Sequence, residues 1–204
     1  MQLFITDFEK KWEMIKISNA EILSQIRKVL RMKIWDEIFV QDWNIRYKIQ
    51  ISDRDDKNIF GNIIDSTKHP KQKDKIWIAI AMSNKRDKME MIVQKLSEIW
   101  IKNIYFWPSE RSIIRQRNDK KLERINKIAK EAVEQSRWRG LPQIIFEKDI
   151  SKIIEGKEVI VFDKSEHGFK SICAARNIIG IIGPEWWLSE NDYKKFWDFF
   201  AISQ

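Results

Sequence analysis

The chain has 204 residues, a formal net charge of +8 and one cysteine, Cys173. A single cysteine excludes an internal disulfide and a cysteine-rich metal site, and no apolar run reaches the ~18 residues that a membrane span needs. The positive charge favours an anionic partner, most commonly nucleic acid, although 33% charged residues of mixed sign would also clothe a well-solvated enzyme.

The start, Met1-Gln2-Leu3-Phe4-Ile5-Thr6-Asp7, has neither a basic leader nor a long apolar core, so a cytoplasmic protein is expected. Residues 3 to 64 read as a small β-rich unit with one helix. Ser18-Asn19-Ala20-Glu21 has the spacing of a capping box, and Ile22, Leu23, Ile26, Val29 and Leu30 follow at helical spacing. Glu37 to Gln41 and Ile45 to Ile51 read as paired strands, the second alternating Ile45, Tyr47, Ile49 and Ile51 with Arg46, Lys48 and Gln50. Asp42-Trp43-Asn44 joins them, where a tight hairpin wants a residue of positive φ that Gly supplies and Trp resists. The same misfit recurs at Ile34-Trp35-Asp36. Asp65 to Asp74 is polar, carries Pro70 and lacks apolar periodicity, and is expected to be a linker. His69 and His167 fall in loop sequence and read as ordinary loop residues.

From residue 75 onward strands and helices alternate, which implies βαβ units. Lys75 to Ala81 is a nearly continuous apolar strand of the kind covered by helices on both faces. After a polar loop, Ser83 to Lys88, a helix presents Met89, Ile92, Val93, Leu96 and Ile99, with Trp100 at the position after its end where Gly is the usual terminator. Ile101 to Phe106 is the next strand and runs into Trp107-Pro108-Ser109-Glu110-Arg111-Ser112. Lys120 to Ser136 is an amphipathic helix whose polar face carries Lys121, Arg124, Lys127, Lys130 and Glu131, a phosphate-facing surface or a solvated one. Glu158 to Asp163 and Ile178 to Ile182 are two further strands. The second stops at Gly183-Pro184, and Ser189 with Asp192 then reads as a helix N-cap with an acidic first turn. In open α/β sheets ligands lie beyond the carboxyl ends of strands, so Gly183 to Leu188 is the first place to look for a site.

Several of these stretches together resemble one family. Asp87-Lys88-Met89-Glu90 with Gln94-Lys95 and Glu98-Ile99, then Ser109-Glu110-Arg111-Ser112, then Glu131-Ala132 to Glu134-Gln135-Ser136, then Ile182-Gly183-Pro184-Glu185 with Ser189-Glu190, stand in the order found in the RsmE family. These are methyltransferases of the SPOUT superfamily that act on N3 of a uracil in 16S ribosomal RNA. Arg31-Met32-Lys33-Ile34 with Asp36-Glu37 and Asp42 looks like that family's N-terminal barrel. The resemblance covers nearly the whole chain. It implies an α/β, SPOUT-type methyltransferase domain over residues 71–204 with a trefoil knot left incomplete, preceded by a small PUA-like RNA-binding β-barrel over residues 1–70.

By the same resemblance the protein is a homodimer that uses S-adenosylmethionine and acts on 16S rRNA or the 30S subunit, with no metal and no membrane. Gly183, Pro184, Glu185, Trp186, Trp187 and Leu188 fall on the cofactor loop, and Asp163 ends the strand beside it. Ser109, Glu110 and Arg111 match the motif at the reaction centre, where Arg111 balances developing charge or holds a phosphate and Glu110 orients it. Arg31, Lys33, Lys88, Arg124 and Lys127 are the candidate RNA contacts. A catalytically incompetent RNA-binding protein and a SPOUT enzyme with another RNA target are the alternatives.

Two departures from the family pattern matter. The family continues with a segment that threads the knot and completes the cofactor pocket, whereas this chain stops at Gln204. Trp35, Trp43, Trp100, Trp186 and Trp187 stand where the family has Gly. The chain holds 6 Gly and 10 Trp, where average usage would give roughly 14 Gly. We read these five tryptophans as glycine codons of a UGA-as-Gly organism decoded as Trp. The native loop is then Gly-Pro-Glu-Gly-Gly, able to approach a cofactor closely, and the Trp pair blocks the pocket.

Overall fold

The structure, a computed structural model, describes residues 1–42, 45–68, 75–83, 85–112, 119–137, 140–162, 177–184 and 188–196. The chain forms two compact units, Met1–Lys71 with Val133–Gly140, and Gln72–Ala132 with Leu141–Gln204.

The first unit holds β1 (Leu3–Ile5), β2 (Glu9–Lys11), β3 (Met14–Ile17), α1 (Ala20–Ser24, continuing through a wide turn to Val29), β4 (Glu37–Gln41), β5 (Ile45–Arg54) and β6 (Ile59–Lys68). They make one sheet in the order β1-β4-β5-β6-β3-β2. The alternation expected in β5 is found: Tyr47, Ile49 and Ile51 are buried in the core with Ile38 and Val40 of β4. Two expectations shift. The cap of α1 is Asn19 rather than Ser18, its side chain accepting from the Glu21 and Ile22 amides, while the Ser18 hydroxyl donates to Asn58. The expected linker at Asp65 overlaps β6, which runs to Lys68 because Asp65, Ser66, Thr67 and Lys68 pair with β5. These residues are exposed, so no apolar period marks the strand. Trp43, Asn44, Pro70 and both histidines lie outside the described residues.

The second unit contains β7 (Lys75–Ala81), α2 (Arg86–Glu98), β8 (Asn103–Trp107), α3 (Asp119–Ser136) as far as Ala132, β9 (Gln143–Phe146), α4 (Ile150–Ile154), β10 (Glu158–Phe162), β11 (Asn177–Ile182) and α5 (Glu190–Phe196). Its five strands are all parallel, in the order β10-β11-β7-β8-β9. Chain order therefore runs outward from β7 to β9, crosses to β10 at the opposite edge, and returns to β11 beside β7. One face packs Ile78, Ile80, Ile104 and Phe106 against Met89 and Val93 of α2 and Ile125 of α3. The other packs Ala79, Trp107, Ile179 and Ile181 against α4 and Phe196 of α5. Ile78 to Met82 are all buried, which is why β7 reads as a continuous apolar run. Ile99, expected on the buried face of α2, is instead exposed past the end of the helix. β11 runs between two strands and carries Gly180 because a Cβ there would lie 2.7 Å from Phe162 and 2.9 Å from Ile78.

Among the described residues five non-glycine positions have φ in the left-handed region, and three are tryptophan. Trp35 (φ +79) is the third residue of the turn in which Asp36 N–H donates to Lys33 C=O, the place a type II turn gives to Gly. Trp100 (φ +76) follows the end of α2. Its amide donates to Ser97 and the Ile101 amide to Leu96, the pair of bonds of a Schellman motif with Trp where Gly belongs. Trp12 (φ +54) opens the two-residue loop between β2 and β3, and its φ there is one that hairpin loops give to Gly; no sequence signal singled it out. Arg31 and Arg137 are the other two.

Candidate functional site

All five strands of the second sheet point the same way, so the carboxyl ends of β7, β8 and β11 share one edge. β11 is the strand that returns next to β7 after the crossover, and such a reversal of strand order is where open sheets leave a crevice. The two sequence stretches singled out as functional both leave the sheet at this edge.

The first follows β8. Trp107 is fully buried against Phe196 with the rings edge to face at 5.9 Å, and Pro108 leads into a turn over Ser109–Ser112. The Ser112 amide donates to the Ser109 carbonyl, and the two buried hydroxyls are 2.8 Å apart. Ser112 Oγ also accepts from the Ser109 amide. The Ser109 hydroxyl is thus spent inside the turn, which suits it to shaping the loop rather than to attacking a substrate. Glu110 and Arg111 form the exposed tip.

The second follows β11. Gly183 and Pro184 are half-buried, and a Cβ on Gly183 would sit 3.1 Å from Leu188 Cγ, so the near and far ends of the loop touch. Leu188 and Ser189 are buried. Ser189 caps α5 as expected: its hydroxyl accepts from the Asp192 amide, and the Asp192 carboxylate accepts in return from the Ser189 amide. Glu185, Trp186 and Trp187 between them, and Asp163 after β10, lie outside the described residues.

α5 brings the two stretches together. Asp192 is fully buried, and both of its carboxylate oxygens accept from the Glu110 amide, at 3.2 and 3.3 Å. Asn191 donates its side-chain amide to both oxygens of the Glu110 carboxylate, at 3.2 and 3.3 Å. Hydrogen bonds from Ser189 first, and from Asn191 second, hold the Glu110 carboxyl below its ordinary pKa. A carboxylate made less basic in this way is a poor proton acceptor and a good fixed anchor. The sign of the linkage is that of a depressed acid: the anchor acts above the unfolded-state pKa and is lost as pH falls through the lowered folded value. An NMR titration of the Glu110 carboxyl is expected to place its midpoint below that of a glutamate in a short peptide, and a midpoint at or above the peptide's would show that Ser189 and Asn191 do not hold it.

The sequence named Ser109, Glu110, Arg111, Gly183, Pro184 and Leu188, and the structure sets them on the two loops that Asp192 joins. It named Ser112 only as the end of its motif and Asp192 only as part of a helix cap, and it did not single out Asn191. The capping spacing marks Asp192 as the start of a helix, but nothing local reveals a partner 82 residues away. None of the candidate RNA contacts is part of these two loops. Arg31 and Lys33 are exposed in the first unit, where the Lys33 amide donates to Asp36. Lys88 and Lys127 are exposed on α2 and α3. Arg124 is engaged side-on by Glu90 of α2, with contacts of 2.6 and 2.9 Å, so its guanidinium fork already joins two helices. Among the described residues no three histidine, cysteine, aspartate or glutamate side chains group as a metal site, and no helix is long and apolar enough to cross a membrane.

Comparison with known proteins places this geometry. Residues 70–202 match the family described as RNA methyltransferase domain. Among solved structures the chain is similar to the ribosomal RNA small subunit methyltransferase E of Neisseria gonorrhoeae bound to S-adenosylmethionine, with a TM-score of 0.80 and 18% identity over 97% of this chain and 86% of that one. It is also similar to a probable rRNA-methyltransferase from Porphyromonas gingivalis, with a TM-score of 0.76 and 23% identity over 98% of this chain and 87% of that one. A third likeness is to a Legionella pneumophila protein solved with bound S-adenosylmethionine, with a TM-score of 0.75 and 19% identity over 97% and 85% of the two chains. No curated protein matches the chain in sequence. At these identities the structural likeness speaks to fold alone, an α/β unit with a parallel sheet that follows a small β unit.

Proposed function

Because this chain belongs to the RNA methyltransferase family, we propose that it transfers the methyl group of S-adenosylmethionine to N3 of a uracil in 16S ribosomal RNA. The observation that carries the reading is the tie from Asp192 to Glu110, which fixes the Gly-Pro corner and the Ser109–Ser112 turn at one edge of the sheet. What supports a cofactor there is position: the corner lies beyond a carboxyl strand end next to the crossover, and Gly183 has no Cβ to crowd Leu188 where the loop closes. Gly183, Pro184 and Leu188 would hold the cofactor, with Glu185 and residues 186 and 187 completing the loop and Asp163 beside it.

Bound there, S-adenosylmethionine would supply an electrophilic methyl group to N3 and keep the carbon–sulfur electron pair on its sulfur. The chain's own work is placement and electrostatics. Arg111 at the turn tip would offer a cation to the charge that develops on the base as N3 gives its proton to water, or to a flanking phosphate. Glu110, kept ionised by Ser189 and Asn191, orients the tip and does not itself take the proton. Arg31, Lys33, Lys88 and Lys127 supply sequence-independent attraction to the RNA backbone. Arg124 contributes less, since Glu90 neutralises it. In this reading the substrate particle is the 30S subunit and the working form a homodimer.

The test is transfer of labelled methyl from S-adenosylmethionine to assembled 30S particles, free 16S RNA and tRNA, followed by nucleoside analysis. It uses the chain and its Trp186→Gly/Trp187→Gly form, so that a blocked pocket is separated from a wrong assignment. Label in 3-methyluridine from 30S particles is expected. Label in another nucleoside, or only in tRNA, would replace the target. No cofactor binding by the glycine form would leave an RNA-binding role alone.

A further inference from the structure

The Asp192 carboxylate is the least accounted-for group at this edge. It is fully buried, and removing a charge from water is costly unless its partners replace the water. Its bond to the Ser189 amide is the return half of the helix cap, but a cap does not call for the bonds it accepts from the Glu110 amide. The partners of Asp192 are the amides of Ser189 and Glu110, with the ammonium of Lys195 3.5 Å away. One of those amides belongs to the loop that leaves β11, the other to the turn that leaves β8. A single buried anion therefore sets the separation of the two loops, and the Glu110 amide it holds is adjacent to Arg111.

We infer that Asp192 is a positioning residue for methyl transfer, fixing the Glu110–Arg111 tip relative to the Gly-Pro corner. It touches neither base nor cofactor in this assignment, which rests on the proposed methyltransferase reading and adds to it. Its effect is geometric. Lengthening the side chain by one methylene in Asp192→Glu keeps the charge and pushes the Glu110 amide outward, while Asp192→Asn keeps the length and one accepting oxygen but removes the charge. A displacement of about 1 Å between reacting groups costs on the order of 100-fold in rate.

The experiment measures steady-state kinetics and amide hydrogen exchange for Asp192→Glu, Asp192→Asn and the parent chain, each also in the Trp186→Gly/Trp187→Gly background. For Asp192→Glu the expected result is a kcat lower by about 100-fold, KM for S-adenosylmethionine within about threefold of the parent, and unchanged circular dichroism at the assay temperature. Asp192→Asn is expected to fall less in kcat. In both variants the Glu110 amide should exchange faster while the strand amides of β8 and β11 stay protected. Parent-like kcat in a folded Asp192→Glu variant overturns the inference, as does a kcat loss that merely tracks the unfolded fraction. If the parent forms transfer no methyl group at all, it is the methyltransferase reading that fails. The exchange of the Glu110 amide then decides by itself whether Asp192 sets the turn, with parent-like protection refuting it.

Discussion

Exchanging Trp12, Trp35 and Trp100 together for glycine is expected to stabilise the protein by about 2 kcal/mol, whereas Trp107→Gly should destabilise it by about 4 kcal/mol. The opposite signs come from backbone and burial. The first three residues have φ of +54, +79 and +76 and are 93%, 72% and 50% exposed. A left-handed backbone costs a residue with a side chain about 1–2 kcal/mol, and glycine gives back about 0.4–1 kcal/mol through its freer unfolded chain, which leaves about 0.5–1 kcal/mol per site. Little burial is lost at Trp12 and Trp35, while at the half-buried Trp100 the lost burial offsets part of the backbone gain. Trp107 is the reverse case, a fully buried strand residue whose ring meets Phe196 edge-on, and its removal leaves a large cavity. Urea unfolding of the single variants measures each term. Loss of stability at Trp35 and Trp100 on going to glycine would remove the backbone argument. The gene offers an independent reading, with UGA expected at codons 12, 35, 43, 100, 186 and 187 and UGG at 107. UGG at 35, 43, 100, 186 and 187 would end the recoding interpretation.

The second large effect concerns Arg111. Arg111→Ala is expected to lower kcat/KM for methyl transfer by about 100-fold to 1,000-fold, the scale on which a single electrostatic contact to developing charge acts. Affinity for S-adenosylmethionine should stay within about threefold of the parent's, because the role proposed for the Arg111 guanidinium is toward the base and its phosphate rather than toward the cofactor. Arg111→Lys keeps the charge but loses the planar fork, so partial recovery would assign Arg111 to charge balance and none to bidentate recognition. A change below about threefold in Arg111→Ala would reduce the residue to a surface ion near Glu110, whose carboxyl it helps to keep ionised.

Much of this was legible in the chain because each local signal had a single dominant physical cause. Ile78–Ala81 of the apolar run at Lys75–Ala81 are buried on both faces, so its continuous hydrophobicity marked a central parallel strand. Ser189 and Asp192 carry the spacing of a reciprocal cap and form one. Trp100 stood out since a helix end calls for a left-handed residue, and its φ is +76. The failures are as instructive. Asn19 took the cap from Ser18 because Ser18 had Asn58 to bond, a contact across 40 residues. β9 and α4 were not anticipated: they are short, and only with β8 and the opposite sheet face in place do their few isoleucines become a core. The polar end of β6 lacks any period since neither of its faces is covered. Long-range polar contacts were the hardest to foresee. The bond from Glu110 to Asp192 and the pair of Glu90 with Arg124 each connect residues whose neighbours in sequence say nothing about one another.

Hydrogen exchange of the protein with and without saturating S-adenosylmethionine, in the chain and in its Trp186→Gly/Trp187→Gly form, tests most directly whether the two loops are one site. Protection is expected to rise together over residues 183–188 and 109–112, with the remote amides of β5 and β6 unchanged. Protection confined to one of the two loops, or to neither in the glycine form, would contradict a shared cofactor site at this edge of the sheet.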